Sequence, residues 1–120
     1  MITRLSNHYG DDTCSAFTAA GDFIFLAHHS GGHERDDIAF QMVQSFENLK
    51  TTLHAAGARL GDLVQINLYL RDIEHFSVAR DVFRTYFDNE TFPARMTTTS
   101  KFVNSSCLCM IDGIAYKPRS

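Results

Sequence analysis

Strict alternation over Val64-Gln65-Ile66-Asn67-Leu68-Tyr69-Leu70 predicts a half-buried β-strand. Val64, Ile66, Leu68 and Leu70 share one face, and Gln65, Asn67 and Tyr69 the other. The segment before it follows a different period. Ile38, Met42, Phe46, Leu49, Leu53 and Ala56 recur at helical spacing, Asp36 and Asp37 offer N-caps, and Gly57 is a natural residue just past the C-terminus. A second helical stripe, Ile73, Phe76, Ala79, Phe83 and Tyr86, follows Asp72 as its cap, and Pro93 ends the connection beyond it. After a polar start, Ala16 to Ala20 and Asp22 to Ala27 read as two short strands turning at Gly21. His28 to His33 reads as a loop in which Gly31 and Gly32 are free to take positive φ. Two further strands, near Ala94 to Phe102 and Cys107 to Tyr116, are joined at Asn104-Ser105.

The order strand, strand, helix, strand, helix, strand, strand predicts an α+β fold. Two helices are enough to cover one face of a four- or five-stranded sheet, which leaves the other face open. That face, with Gln65, Asn67, Tyr69 and several threonines, is mixed in polarity rather than charged, and reads as a subunit interface. A monomer with a wet, threonine-rich face is the alternative. No repeat, linker or low-complexity stretch divides the chain, so residues 1–120 form a single domain.

Composition narrows the function classes. Hydrophobic content of 44% and charged content of 21% suit a globular domain with its own core, not a disordered chain. Net charge is −3 with Lys and Arg scattered, so no nucleic-acid partner is expected. No apolar run has membrane-spanning length, and Met1 to Ser6 lacks a secretory apolar stretch. With an odd count of three cysteines, these features point to the reducing cytoplasm. Cys107 and Cys109 lie two apart on one strand face and read as small buried hydrophobes rather than thiolate ligands. The spacing of His28, His29, His33 and that pair argues against a metal site built from them. Adjacent histidines rarely both ligate one ion, and the cysteines are not spaced as a zinc knuckle, so no metal is expected. His54 and His75, at helix positions, read as surface residues.

The candidate chemistry lies near the C-terminus. Arg95 stands in Phe92-Pro93-Ala94-Arg95 at the start of one strand, and Asp112 stands inside the next, Leu108-Cys109-Met110-Ile111-Asp112-Gly113-Ile114-Ala115-Tyr116. A guanidinium reads a carboxylate bidentately and keeps its charge at any working pH, and a carboxylate nearby can hold a water. The residues alone leave open whether the two form such a site or a structural ion pair across a hairpin.

These elements and segments resemble the YjgF/RidA (reactive intermediate deaminase) family. The resemblance runs from about Gly21 to Tyr116. It is carried by Gln41-x-x-Gln44-Ser45-Phe46-Glu47-Asn48-Leu49-Lys50, Ala55-Ala56-Gly57, Gly61-Asp62-Leu63-Val64, Leu70-Arg71-Asp72, Phe92-Pro93-Ala94-Arg95 and Ile111-Asp112-Gly113-Ile114-Ala115. Each is weak alone; the order and spacing make the signal specific. The resemblance implies a chorismate-mutase-like two-layer sandwich, assembled as a homotrimer with ligand clefts between subunits. It further implies hydrolysis of 2-imino acids, reached from their 2-enamine tautomers, to 2-keto acids and ammonia without metal or organic cofactor. Carried over position by position, Arg95 matches the carboxylate-binding arginine. Asp112 falls where active members usually have a water-holding glutamate, and Thr97 matches a small residue beside the ligand. Cys14 falls near a tyrosine that closes the cleft from the adjacent subunit, and Arg80 stands where the second helix often carries Asn. The loop after Ala27 is shorter than usual in the family, with His28 and His29 in place of Gly-Gln. The shortened acid and the missing tyrosine give the alternative reading, a small-acid binding protein of the same fold that does no chemistry.

Overall fold

The computed structural model describes residues 1–118. Six strands form one sheet: β1 (Ile2–Leu5), β2 (Phe17–Ala20), β3 (Phe23–His29), β4 (Leu63–Leu70), β5 (Ala94–Thr99) and β6 (Cys109–Tyr116). Their spatial order is β1-β2-β3-β6-β4-β5. Neighbours run antiparallel except β4 and β5, which are parallel and joined through a helix as that pairing requires. Helices α1 (Ile38–Ala55) and α2 (Phe76–Thr85) lie in sequence before β4 and β5 respectively.

The α+β order expected from the sequence holds, with one strand added at the N-terminus. β1 pairs with β2 as an exposed edge strand. Asp37 caps α1, its carboxylate accepting from the Phe40 amide at 3.1 Å. Gly57 follows at φ +80, the left-handed conformation that a residue closing a helix adopts. Asp72 caps a short 3₁₀ turn, Ile73–His75, which runs directly into α2.

Met42, Phe46, Leu49 and Leu53 of α1 pack onto Ile24, Ile66, Leu68, Leu70 and Ile111 of the sheet, all fully buried. Phe46 stacks on Tyr86 with ring centroids 4.4 Å apart and meets Phe83 edge-on, which docks the second helix on the first. Gln41, also fully buried, belongs to this stripe for a polar reason. Its amide donates to the carbonyls of Arg35 and Ser106, and its oxygen accepts from the Leu108 amide. That ties α1 to the segment entering β6.

The structure departs from the sequence expectation at several positions. Ile73, expected in the buried stripe of the second helix, lies in the 3₁₀ turn and is 60% exposed. Val64 is exposed, and Leu63 takes its place in the core. The register between β4 and β6 shifts between Leu63 and Gln65, so the alternation slips by one residue there. β5 ends at Thr99, short of Phe102. His28 and His29 belong to β3 rather than to a loop, and only Gly32 of the following glycine pair takes positive φ, +72.

Candidate functional site

Strand register decides which face each site residue occupies. Arg95 pairs with Ile66 and Thr97 with Leu68. Both partners are core residues under the helices, so Arg95 and Thr97 point toward α2. Asp112 pairs with Asn67, which pairs on its other side with Met96. Asp112, Asn67, Tyr69, Met96 and Thr98 therefore share the opposite, open face.

Two separate half-sites result. On the helix side, Arg80, Phe83, Arg84, Phe92, Pro93 and Arg95 line a cavity of ≈ 280 Å³. The Arg95 guanidinium lies over the Phe83 ring at 5.0 Å and the Phe76 ring at 5.5 Å; Arg80 lies over Phe76 at 5.5 Å. Among the described residues none of these three arginines forms an ion pair. Partial burial, and secondarily the neighbouring Arg80 charge, push the Arg95 pKa down. Three arginines line this cavity with Phe83 and Phe92 and no carboxylate, an arrangement chemically suited to an anion.

On the open face, Asp112 lines a cavity of ≈ 370 Å³ with His28, Tyr69, Ser100, Lys101, Phe102, Val103 and Met110. The Asn67 amide donates to one Asp112 oxygen at 2.8 Å, and the Tyr69 hydroxyl donates to the other at 3.0 Å. These two bonds fix the carboxylate plane and leave lone pairs on both oxygens for a water. Burial, then the Asp112 carboxylate, raise the Tyr69 pKa, so the phenol stays a donor. Arg71 shapes the rim from behind. Its guanidinium donates to the carbonyls of Cys107 and Asn104, each at 2.8 Å, and lies over the Phe102 ring.

The structure thus assembles Arg95 with Arg80 in one cavity, leaves Thr97 on the same sheet face as Arg95 but outside that cavity's lining, and separates all three from Asp112. The ion-pair reading of Arg95 and Asp112 within one chain is excluded by this geometry. Cys14 lies elsewhere, in the segment leading to β2, where its carbonyl accepts from the His8 amide at 3.0 Å. Its thiol donates to the Ser15 carbonyl. Cys107 and Cys109 are buried, and burial pushes the Cys109 thiol up to about 12, which makes it a hydrophobic filler. Among the described residues no group of three or more His, Cys, Asp or Glu side chains is placed to hold a metal ion. Among the described residues no helix is long and apolar enough to cross a membrane.

Sequence reading assigned Asn67 and Tyr69 to an interface and did not connect them to Asp112. Their shared alternation marked the face, but the register that aligns β4 with β6 is not written in either strand alone.

The family profile described as Endoribonuclease L-PSP matches residues 12–117. A RutC family protein of Pyrococcus horikoshii is 35% identical over 104 residues, covering 82% of each chain. A protein of Salmonella typhimurium named 2-iminobutanoate/2-iminopropanoate deaminase is 35% identical over 66 residues, covering 53% of this chain and 52% of its own. A solved structure from Streptococcus pyogenes, titled a member of the yjgF family, superposes with a TM-score of 0.85 at 25% identity, covering 98% of both chains. From the matching profile, the RutC relative and the common fold, the chain belongs to the YjgF/RidA family.

Proposed function

We propose that the protein hydrolyses reactive 2-imino acids, formed from 2-enamines such as 2-aminoacrylate, to 2-keto acids and ammonia. The observation that carries this reading is the unpaired arginine cluster. Arg95 and Arg80 line a cavity without any acidic partner, and a small carboxylate is the ligand such a cluster fits. Arg95 grips the substrate carboxylate, Thr97 flanks it, and Asp112 holds the water that attacks the C=N carbon.

Because Arg95 and Asp112 face opposite sides of their own sheet, a cleft holding both takes them from two chains. A homotrimer, with β5 of one subunit against the open face of the next, brings the two together. Cys14 reaches such a cleft only from a neighbouring subunit. The partner is a small 2-imino or 2-keto acid, the chemistry needs no cofactor, and the setting is cytoplasmic. The carboxylate clamp supplies orientation, and imine hydrolysis is intrinsically easy, so a modest barrier reduction is enough.

One observation favours a second reading, a non-catalytic binder of small acids. Both Asp112 oxygens already accept hydrogen bonds from the chain itself. Ammonia release from freshly generated 2-iminopropionate separates the two readings. Catalysis predicts acceleration by wild type that Arg95→Ala removes; release at the spontaneous rate with both proteins supports binding alone.

A further inference from the structure

His28 faces the Asp112 cavity from β3. The register between β3 and β6 shifts between Leu26 and His29, a bulge that re-aims successive side chains. His29 turns inward, donating from Nδ1 to the Ala27 carbonyl and accepting at Nε2 from the Thr52 hydroxyl, each at 2.7 Å. His28 turns the other way. It lines the ≈ 370 Å³ cavity with Asp112 and Tyr69, and also an adjoining one of ≈ 610 Å³ with His8, Tyr9 and Asp11.

Its ring makes no hydrogen bond among the described residues; only its backbone carbonyl is used, accepting from His8 Nε2. The His8 ring packs edge-on against it at 5.0 Å. An imidazole with unengaged nitrogens, held beside a carboxylate whose two oxygens already accept hydrogen bonds, is the more available base of the pair.

We propose that His28 takes the proton from the attacking water and returns it to the departing nitrogen, while Asp112 positions that water and faces the imidazolium that forms. This rests on the imine-hydrolysis reading and names its proton carrier. Starting from the protonated imine, the water oxygen bonds to the carbon and the C=N electron pair moves onto nitrogen. The released proton goes to a His28 ring nitrogen. The carbinolamine amine then takes that proton. The C–N bond breaks with its electron pair leaving on ammonia, as the hydroxyl proton passes to His28. Iminium and water become keto acid and ammonium once His28 is deprotonated again.

The surrounding charges suit the role. Burial and the neighbouring His8 push the His28 pKa below its ordinary 6.5, and Asp112 and Asp11 oppose them. Tyr69 from β4 and Lys101 from the β5–β6 connection also face it, as do Tyr9, its ring centroid 6.3 Å away, and His33 across the adjoining cavity. The imidazole is thus neutral, and able to accept, at neutral pH.

The test compares wild type, His28→Gln, His28→Ala and Arg95→Ala in ammonia release from 2-iminopropionate across pH 5 to 8. His28→Gln is expected to lose tenfold or more in kcat with little change in KM, at an unaltered thermal midpoint. Wild-type turnover is expected to fall as pH drops below 6.5 and His28 protonates, a limb that His28→Gln lacks. Added imidazole is expected to restore part of the turnover of His28→Ala. A His28→Gln protein within twofold of wild type, with the same pH profile, overturns the proposal while Arg95→Ala, if inactive, still upholds imine hydrolysis. Release at the spontaneous rate by wild type overturns both.

Discussion

Arg95 is a cation held by aromatic faces, not by an anion, and that sets what its replacement does. Arg95→Lys keeps the charge but loses the planar fork needed for two parallel bonds to a carboxylate. Imine hydrolysis is expected to fall at least tenfold, with the thermal midpoint within a few degrees of wild type, because among the described residues no hydrogen bond or ion pair depends on the side chain. A collapsed melting transition would show instead that the guanidinium holds α2 in place. Asp112→Asn is expected to lose turnover while a keto acid still binds, since the proposed carboxylate clamp, Arg95, is elsewhere; equal turnover would remove Asp112 from the chemistry. Both residues were legible in the sequence, as an arginine behind a proline and an acid in an apolar strand. Their placement on opposite faces was not, because it depends on pairing with Ile66 and Asn67, far away in the chain.

The elements were read well where periodicity was long and poorly where pairing overrides it. Both helices stand out because their apolar stripes repeat over several turns. β1 escaped because Ile2-Thr3-Arg4-Leu5 is short and wholly exposed, and forms a strand only by borrowing the edge of β2. Val64 misled because a register shift is a property of two strands together. Gly113 sits at that shift, where an added Cβ would lie 2.5 Å from the Gln65 carbonyl oxygen. Gly113→Ala must push β4 and β6 apart and is expected to cost about 2 kcal/mol, lowering the thermal midpoint by roughly 5–15 °C. A change under two degrees would mean the bulge is soft. A second tie joins β3 to α1 through His29, whose pKa burial lowers to about 4. The unfolded chain protonates this histidine near 6.5, so stability is fully present above that pH and falls as pH drops from 6.5 toward 4. The loss is of order 3 kcal/mol, with His28 adding in the same direction. Urea denaturation at pH 7, 5.5 and 4.5 is expected to show this slope in wild type and a shallower one in His29→Gln; identical slopes would place the acid sensitivity elsewhere.

At the scale of the whole molecule, the open face of the sheet is the unfinished part. Phe23, Phe25, Met96 and Tyr116 stand between 43% and 63% exposed around the polar row of Gln65, Asn67 and Tyr69. That is an apolar surface of the kind that subunits cover. Phe25→Asp is expected to shift sedimentation equilibrium from trimer to monomer and to abolish turnover without unfolding the chain; a monomeric wild type at micromolar concentration would remove the shared cleft. The division of the site between two faces has a genetic consequence. Arg95→Ala and Asp112→Asn chains are each expected to be inactive alone, yet each still carries the half that the other lacks. Unfolded together and reassembled at random, they are expected to rebuild about one intact cleft in four, restoring roughly a quarter of wild-type turnover from two dead proteins. Complementation of that kind between alleles would be the signature of a catalytic centre that no single polypeptide encodes whole.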